Sequence, residues 1–531
     1  MKTGLLLGDE AAALGALHAG IGGVFSYPGT PATEVFETIE RSRAPDVSAR
    51  WSANEKSAYE EALGMSYAGR RALVSMKHVG LNVAADPFVN SALTGVNAGL
   101  VLLVADDPGM HSSQNEQDSR YYGEFAQVPL LEPSTQQEAY DLTRRAFSYS
   151  EEIGLPVMLR LVTRLAHSRS NVTPRAPEAP GRRPHPGSND WTLVPAIARR
   201  RFARLLELQK KLLEDSEASP ANRLTLGGKR GVIAAGLAHN YVLEALCGSG
   251  DRTVLKLSHY PLPVALIREL VDHCEEILVA EDGYPYVERR LNGLLGLPGK
   301  VVRGRLTGDL PASGELTPDA VAAALGRPRE RVVAPFDDLA ARPPQLCRGC
   351  PHADSFKAIV EATSGYEHPI LFSDIGCYTL GVMPPYRAVH ACVDMGASIA
   401  MAHGAARAGA RPVICTIGDS TFTHSGMTAL IGAVRSDADI TVFILDNGTV
   451  AMTGTQESMA TGEALLRILR GLGVREEHLH VIEPLARNHA RNVELIQREI
   501  RHPGLSVIVP TRACIHLQRK LRESAGEAVP A

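Results

Sequence analysis

Two short runs in the last third of the chain carry side chains suited to holding a charged, phosphorylated ligand. The first is Ile417-Gly418-Asp419-Ser420. The second is Leu445-Asp446-Asn447-Gly448-Thr449, so that Asn447 follows Asp419 by 28 residues. A hard divalent cation takes oxygen ligands in octahedral geometry and completes its shell with phosphate and water. The Asp419 and Asn447 side chains offer two such oxygens, and the Thr449 backbone carbonyl offers a third. Gly418 lets the backbone approach a diphosphate closely. A helix expected after Ser420 turns unpaired amides toward the anion. The plain alternative is a pair of strand-to-helix turns with Asp and Asn as caps. The pairing of the two runs at this spacing, on consecutive strand ends, favours the diphosphate reading.

Two further sets of residues could do chemistry. Glu55 opens a predicted helix rich in small residues (Ala58, Ala62, Gly64, Ala68, Gly69), which would pack closely against a cofactor or a neighbouring domain. A first-turn acid favoured by the helix dipole is the competing explanation, and Glu60 and Glu61 are rival acids. Cys347 and Cys350 form a Cys-x-x-Cys pair, Cys377 comes 27 residues later, and Cys514 follows a strand expected over Leu505–Val509. Four thiolates have the number and softness for an iron–sulfur cluster. A zinc site and structural thiols stay open on these residues alone. Cys247, Cys274, Cys392 and Cys415 lie in apolar stretches and are expected as small core residues.

The elements that would position these groups read as doubly wound α/β. Leu100–Ala105, Ile414–Ile417 and Ile440–Leu445 are short apolar runs of the kind that form buried parallel strands. A second α/β unit starts near Gly231–Gly236 and continues through Thr253–Leu257 and Glu276–Glu281. The proline-bearing tract 166–190 is expected as an exposed linker, Ala196–Glu217 as a solvated amphipathic helix, and 327–344 as another connector. The chain has 531 residues, 44% hydrophobic and 21% charged, with 55 basic and 59 acidic residues and a formal net charge of −4. At roughly 100–200 residues per domain that suggests about three or four domains. The charge balance leaves no footprint for nucleic acid, and no apolar run approaches the roughly 20 residues of a membrane span. The first ten residues open like a signal peptide, but Asp9 and Glu10 interrupt the apolar stretch. The expected location is cytoplasmic, where cysteines stay reduced.

The pair of runs at 418–420 and 447 resembles the thiamine diphosphate motif. Several longer stretches resemble the alpha subunit of indolepyruvate:ferredoxin oxidoreductase in order and spacing. They include Ser26-Tyr27-Pro28-Gly29-Thr30-Pro31, Asn54-Glu55-Lys56, Met76-Lys77-His78-Val79-Gly80-Leu81-Asn82 and His111–Gln117. Further along come Cys347-Arg348-Gly349-Cys350-Pro351-His352, Asp374–Tyr378 and Ala451-Met452-Thr453-Gly454-Thr455-Gln456. The resemblance covers essentially the whole chain and is weakest in the linker. It implies a three-domain fold: a pyrimidine-binding domain (1–175), a linker and helix (176–220), a transketolase-C-like domain (221–335) and a diphosphate-binding domain (340–531). It further implies Glu55 as the acid that activates the cofactor, with Thr30, Lys77 and His78 facing the substrate. Gly418, Asp419, Ser420, Asn447, Thr449 and Met452 would hold thiamine diphosphate and Mg²⁺. Cys347, Cys350, Cys377 and Cys514 would hold a four-iron cluster.

The implied reaction is oxidative decarboxylation of a 2-oxo acid, an aryl pyruvate by resemblance, to an acyl-coenzyme A. Electrons would pass to an iron–sulfur centre, ferredoxin or another acceptor. A smaller beta subunit and two copies of this chain are the expected assembly. The family's C-terminal ferredoxin-like domain is expected to be absent. That leaves a non-oxidative decarboxylase or carboligase, or a non-catalytic cofactor-binding assembly subunit, as competing readings.

Overall fold

The computed structural model describes residues 3–184, 191–328, 340 and 343–524. The chain divides into two units, 1–334 and 335–531. In the first, a seven-stranded sheet runs in the order His259–Tyr260, Leu130–Leu131, Val157–Val162, Leu100–Asp106, Ala72–Lys77, Gly23–Ser26, Ser48–Trp51. All neighbours are parallel except the first pair. The central strands are buried along their whole length, which is why they read as unbroken apolar runs. Crossover helices, among them Thr33–Ser42, Glu55–Tyr67 and His78–Thr94, return the chain. The loops after residues 26, 51, 77 and 106 therefore share one sheet edge, the carboxyl edge where such folds bind ligands.

The same unit holds a five-stranded sheet, ordered Val301–Arg303, Glu276–Ala280, Arg230–Ala235, Arg252–Leu257, Arg223–Thr225, with only the last strand antiparallel. After Arg252–Leu257 the chain leaves this sheet, and His259–Tyr260 pairs with Leu130–Leu131 of the larger one. The two sheets share one hydrophobic core. They also share a buried charge network. Arg120, fully buried, donates to Asp118 and to Glu281 Oε2 (2.7 Å). Arg160 donates to Asp106 (2.7 Å), to Glu132 and to the Asp282 carbonyl (3.0 Å).

Two expectations change. The tract 166–190 is not all linker: residues 163–167 are helical, and Arg169–Val172 pairs antiparallel with Gly4–Leu7. Only 173–184 runs without helix or strand, and 185–190 lie outside the described residues. Cys247 is exposed at a helix end with φ 47°, not in the core, because the chain turns left-handed there. Cys274 and Cys415 are buried as expected, and Cys392 is partly so. The helix Pro195–Glu217 has the predicted amphipathic character, with Leu205 and Leu212 inward. Most of the connector at 327–344 lies outside the described residues.

In the second unit a five-stranded, all-parallel sheet runs Ile370–Ser373, Val413–Gly418, Thr441–Leu445, Ser506–Pro510, Leu479–Ile482. Apolar clusters cover both faces. Among the described residues of the chain, no helix is long and apolar enough to cross a membrane.

Candidate functional site

In the second unit the two runs singled out in sequence meet. Asp419, 2% exposed, starts a helix directly after the strand Val413–Gly418, one turn of which, Phe422–Gly426, is a π-helix. Its Oδ2 accepts from the Gly448 amide (2.9 Å) and its Oδ1 from the Ser420 amide (2.7 Å). Gly448, with φ +78°, makes the turn that aims its amide at Asp419. Asn447 Oδ1 accepts from the Thr449 amide (3.0 Å), and its Nδ2 lies 3.4 Å from His352 Nε2. An amide nitrogen can only donate there, so His352 fixes the flip of the Asn447 side chain. Burial, with Arg512 nearby, pushes His352 down to about 4, which keeps it neutral and able to accept.

The residues fit a diphosphate-bound divalent cation. Burial and the neighbouring Asp446 carboxylate drive Asp419 well above the usual carboxylate range. Two acids enclosed together are what a hard cation offsets, and Asn447 Oδ1 keeps a lone pair to add. The cradle is also shaped for close approach. A Cβ on Gly418 would stand 2.7 Å from the Tyr378 ring and one on Gly376 would stand 2.4 Å from it. Thr449 belongs to a two-residue strand paired with Gln456–Glu457, and its hydroxyl donates to the Gln456 carbonyl (2.7 Å). Met452 is 62% exposed in the short turn between these strands.

The four cysteines gather beside this loop. The Cys514 amide donates to the Asn447 carbonyl (2.9 Å). Cys350 caps the helix Pro351–Thr363, and Cys377 opens the turn Cys377–Val382. Burial pushes the Cys377 thiol up to about 12, and the charges that add to this are those of Cys350, Cys514 and Cys347. Burial raises Cys350 as well, with Cys347 and Cys514 contributing. Cys347 is exposed, its sulfur 3.4 Å from His516 Nε2. Among the described residues, no three of these sulfurs lie within 4.8 Å of one another. Thiolates on a single tetrahedral zinc, each about 2.3 Å from the metal, would be closer than that. The donor set therefore suits a larger centre such as a cluster.

In the first unit, Glu55 is 5% exposed at the start of its helix, which Asn54 caps by accepting from the Ser57 amide (2.8 Å). Gly80, in the first turn of the next helix, leaves the space its carboxyl occupies, since a Cβ there would stand 2.6 Å from Oε1. Lys77, at the end of its strand, is buried and donates to the Ser112 carbonyl (2.7 Å). The Ser112 hydroxyl donates to the Thr30 carbonyl (3.3 Å), next to a cis Thr30–Pro31 bond. Burial pushes Lys77 down to about 8 despite the Asp107 carboxylate beside it. Burial alone would raise Asp107. Ser113, the Ser112 amide, Thr163 and Lys77 outweigh it and hold Asp107 below its ordinary value. His78 Nε2 lies 3.3 Å from both the backbone and side-chain oxygens of Asn115, and its buried Nδ1 has no hydrogen-bond partner. The structure thus links Thr30 and Lys77 through Ser112, and places Glu55 and His78 along the same sheet edge.

Sequence reasoning assigned no role to Asp107, Ser112, Gly80 or His352. The last three stood inside motifs already noted, whereas Asp107 carried no local signal.

Comparison with known proteins places these features in context. Residues 14–189 match the family model described as pyruvate flavodoxin/ferredoxin oxidoreductase, thiamine diphosphate-binding. Residues 374–469 match that of the thiamine pyrophosphate enzyme C-terminal, cofactor-binding domain. Indolepyruvate oxidoreductase subunit IorA of Archaeoglobus fulgidus is 40% identical over 99% of this chain and 88% of its own length. The same-named subunit of Methanothermobacter thermautotrophicus is 38% identical over 96% and 86%. Among solved structures, 2-oxoglutarate:ferredoxin oxidoreductase from Magnetococcus marinus, with 2-oxoglutarate, coenzyme A and succinyl-CoA bound, aligns with a TM-score of 0.51. It is 15% identical over 61% of this chain and 65% of that one, a likeness of fold.

Proposed function

The chain belongs to the indolepyruvate oxidoreductase IorA family, and on that footing we propose how its residues carry the family's chemistry. It is a thiamine-diphosphate-dependent 2-oxo acid:ferredoxin oxidoreductase, and an aryl pyruvate substrate fits the names of its relatives. Thiamine diphosphate, when bound, supplies the nucleophilic carbon and the electron sink that let a 2-oxo acid lose carbon dioxide.

Asp419, Asn447 and the Thr449 carbonyl hold Mg²⁺ and, through it, the diphosphate, with Gly418 and Ser420 against the phosphate oxygens and Met452 beside the cofactor. Glu55 holds and returns a proton at the ring nitrogen of the pyrimidine. Lys77, cationic at neutral pH, neutralises the substrate carboxylate. Thr30 and His78 orient the keto group and exclude water. Cys347, Cys350, Cys377 and Cys514 hold a four-iron cluster that takes the electrons one at a time. Coenzyme A accepts the acyl group. The proposed domains are those at 1–175, 221–335 and 340–531. The proposed setting is cytoplasmic, with a smaller beta subunit, a ferredoxin-type acceptor and two copies of this chain.

The observation that carries the oxidative reading is the Cys514 amide on the Asn447 carbonyl, which sets the cysteine group against the diphosphate loop. Anaerobic purification with iron, sulfide and thiamine analysis tests it. About four iron and four sulfide per chain are expected, lost in Cys350→Ser while thiamine is retained. A colourless protein that still turns over a 2-oxo acid would establish the non-oxidative reaction instead.

A further inference from the structure

Another cluster of ligand-type side chains lies in the N-terminal unit and takes no part in the chemistry above. Asp9, Glu34 and His167 each present a ligand atom within 4.8 Å of the other two. They come from three helices. Asp9 sits in the first turn of Gly8–His18, Glu34 in the first turn of Thr33–Ser42, and His167 at the end of Thr163–His167. Gly8 permits the meeting, since a Cβ there would stand 2.2 Å from the Leu165 carbonyl oxygen.

The cluster is unbalanced. Asp9 is 0% exposed, and neither of its carboxylate oxygens has a hydrogen-bond partner. Glu34 Oε2 also lacks one and stands 3.5 Å from His167 Nε2. Burial, then the charges of Glu34 and Glu10, push Asp9 well above the usual carboxylate range. His167 instead draws Glu34 below its ordinary value, and Glu34 raises His167 in return. The one cationic partner is thus engaged by Glu34, and Asp9 is left as a buried acid aimed at the pair. Buried charges of this kind are paired or coordinate a metal.

We propose that Asp9, Glu34 and His167 form a binding site for a divalent transition cation of the zinc class. Two carboxylates and an imidazole match that class, whereas magnesium and calcium prefer oxygen alone. Three protein ligands leave one position for water, and His167, one-third exposed, marks the side from which the ion enters. The site braces the pocket. Glu34 lies four residues after Thr30, and Thr163, at the other end of the His167 helix, donates to Asp107 (2.7 Å).

The test counts metal on the whole chain. Wild type, Asp9→Asn and His167→Gln are incubated with Zn²⁺, desalted and assayed for zinc. Melting temperatures are read with zinc and with a chelator. The cysteines and the Asp419 site also take zinc, so the readout is the difference between proteins. Each variant is expected to carry about one equivalent less than wild type and to lose a zinc-dependent rise in melting temperature. His167→Gln changes a partly exposed helix end, so it reports even if Asp9→Asn folds poorly. Equal zinc in wild type and His167→Gln would overturn the site. So would a wild-type melting temperature that zinc does not move relative to the two variants. That is the outcome if Asp9 merely keeps a proton and bonds to Glu34.

Discussion

Glu55 owes its buried position to the side chain that Gly80 lacks. Gly80→Ala would thrust a methyl to 2.6 Å from the carboxyl oxygen. An ångström-scale displacement of a reacting group is expected to lower kcat by about 10²-fold with little change in melting temperature. Steady-state kinetics beside a thermal melt checks this. Glu55→Gln removes the proton itself, and turnover is expected to fall by at least ~10²-fold while cofactor still binds. Lys77 titrates near 8 because it is buried, so its charge is present below that pH and lost above it. KM for a 2-oxo acid is expected to rise above about pH 8 with kcat nearly level, and Lys77→Arg, which stays charged, should flatten that limb. The resemblance of short motifs made Glu55, Lys77 and His78 legible in the sequence. Asp107 and Ser112 were not, because they reach Lys77 and Thr30 only through a loop folded back from the next strand. Asp9 was noticed only as a charge that breaks an apolar stretch, since its partners lie far along the chain at positions 34 and 167.

Strands buried on both faces were the most readable elements, because their apolar runs are continuous. Arg169–Val172 escaped notice because it is polar, mostly exposed and pairs with just one neighbour. Cys247 was misread because its apolar surroundings end where the backbone turns left-handed. The strand-to-helix turn at Gly418 makes its own prediction. Gly418→Ala would push against the Tyr378 ring, which is held by bonds to the Ile375 carbonyl (2.9 Å) and Thr421 (3.1 Å). Affinity for thiamine diphosphate, measured by fluorescence titration, is expected to fall at least about tenfold, a cost near 1.4 kcal/mol. At the far edge of the same sheet, Glu499 joins the helix His489–Arg501 to the neighbouring strands through His478 and Ser506, each at 2.9 Å. Burial would raise this carboxyl, yet those partners and Arg498 lower it from 4.5 to about 2. A depressed acid stabilises above its unfolded value and loses that contribution as pH falls through the folded one. The stability gap between wild type and Glu499→Gln should therefore be full above about pH 5 and close toward pH 2, as urea melts across that range would show.

At the scale of the N-terminal unit, the two sheets are tied by charge as well as by apolar contact. Arg120→Met would leave Asp118 and Glu281 buried without their cation, and the loss of about 3–5 kcal/mol typical of a broken buried pair is expected in chemical denaturation. The transition should stay single, because a shared core couples the sheets. The two-residue strand His259–Tyr260 carries this coupling into heredity. A gene fragment encoding only the first 175 residues would yield a sheet with an open margin at Leu130–Leu131, ready to recruit a stranger's backbone. Recombination that exchanged that segment for a homologue's would have to bring its lender along, so the two halves travel through evolution as a single cassette.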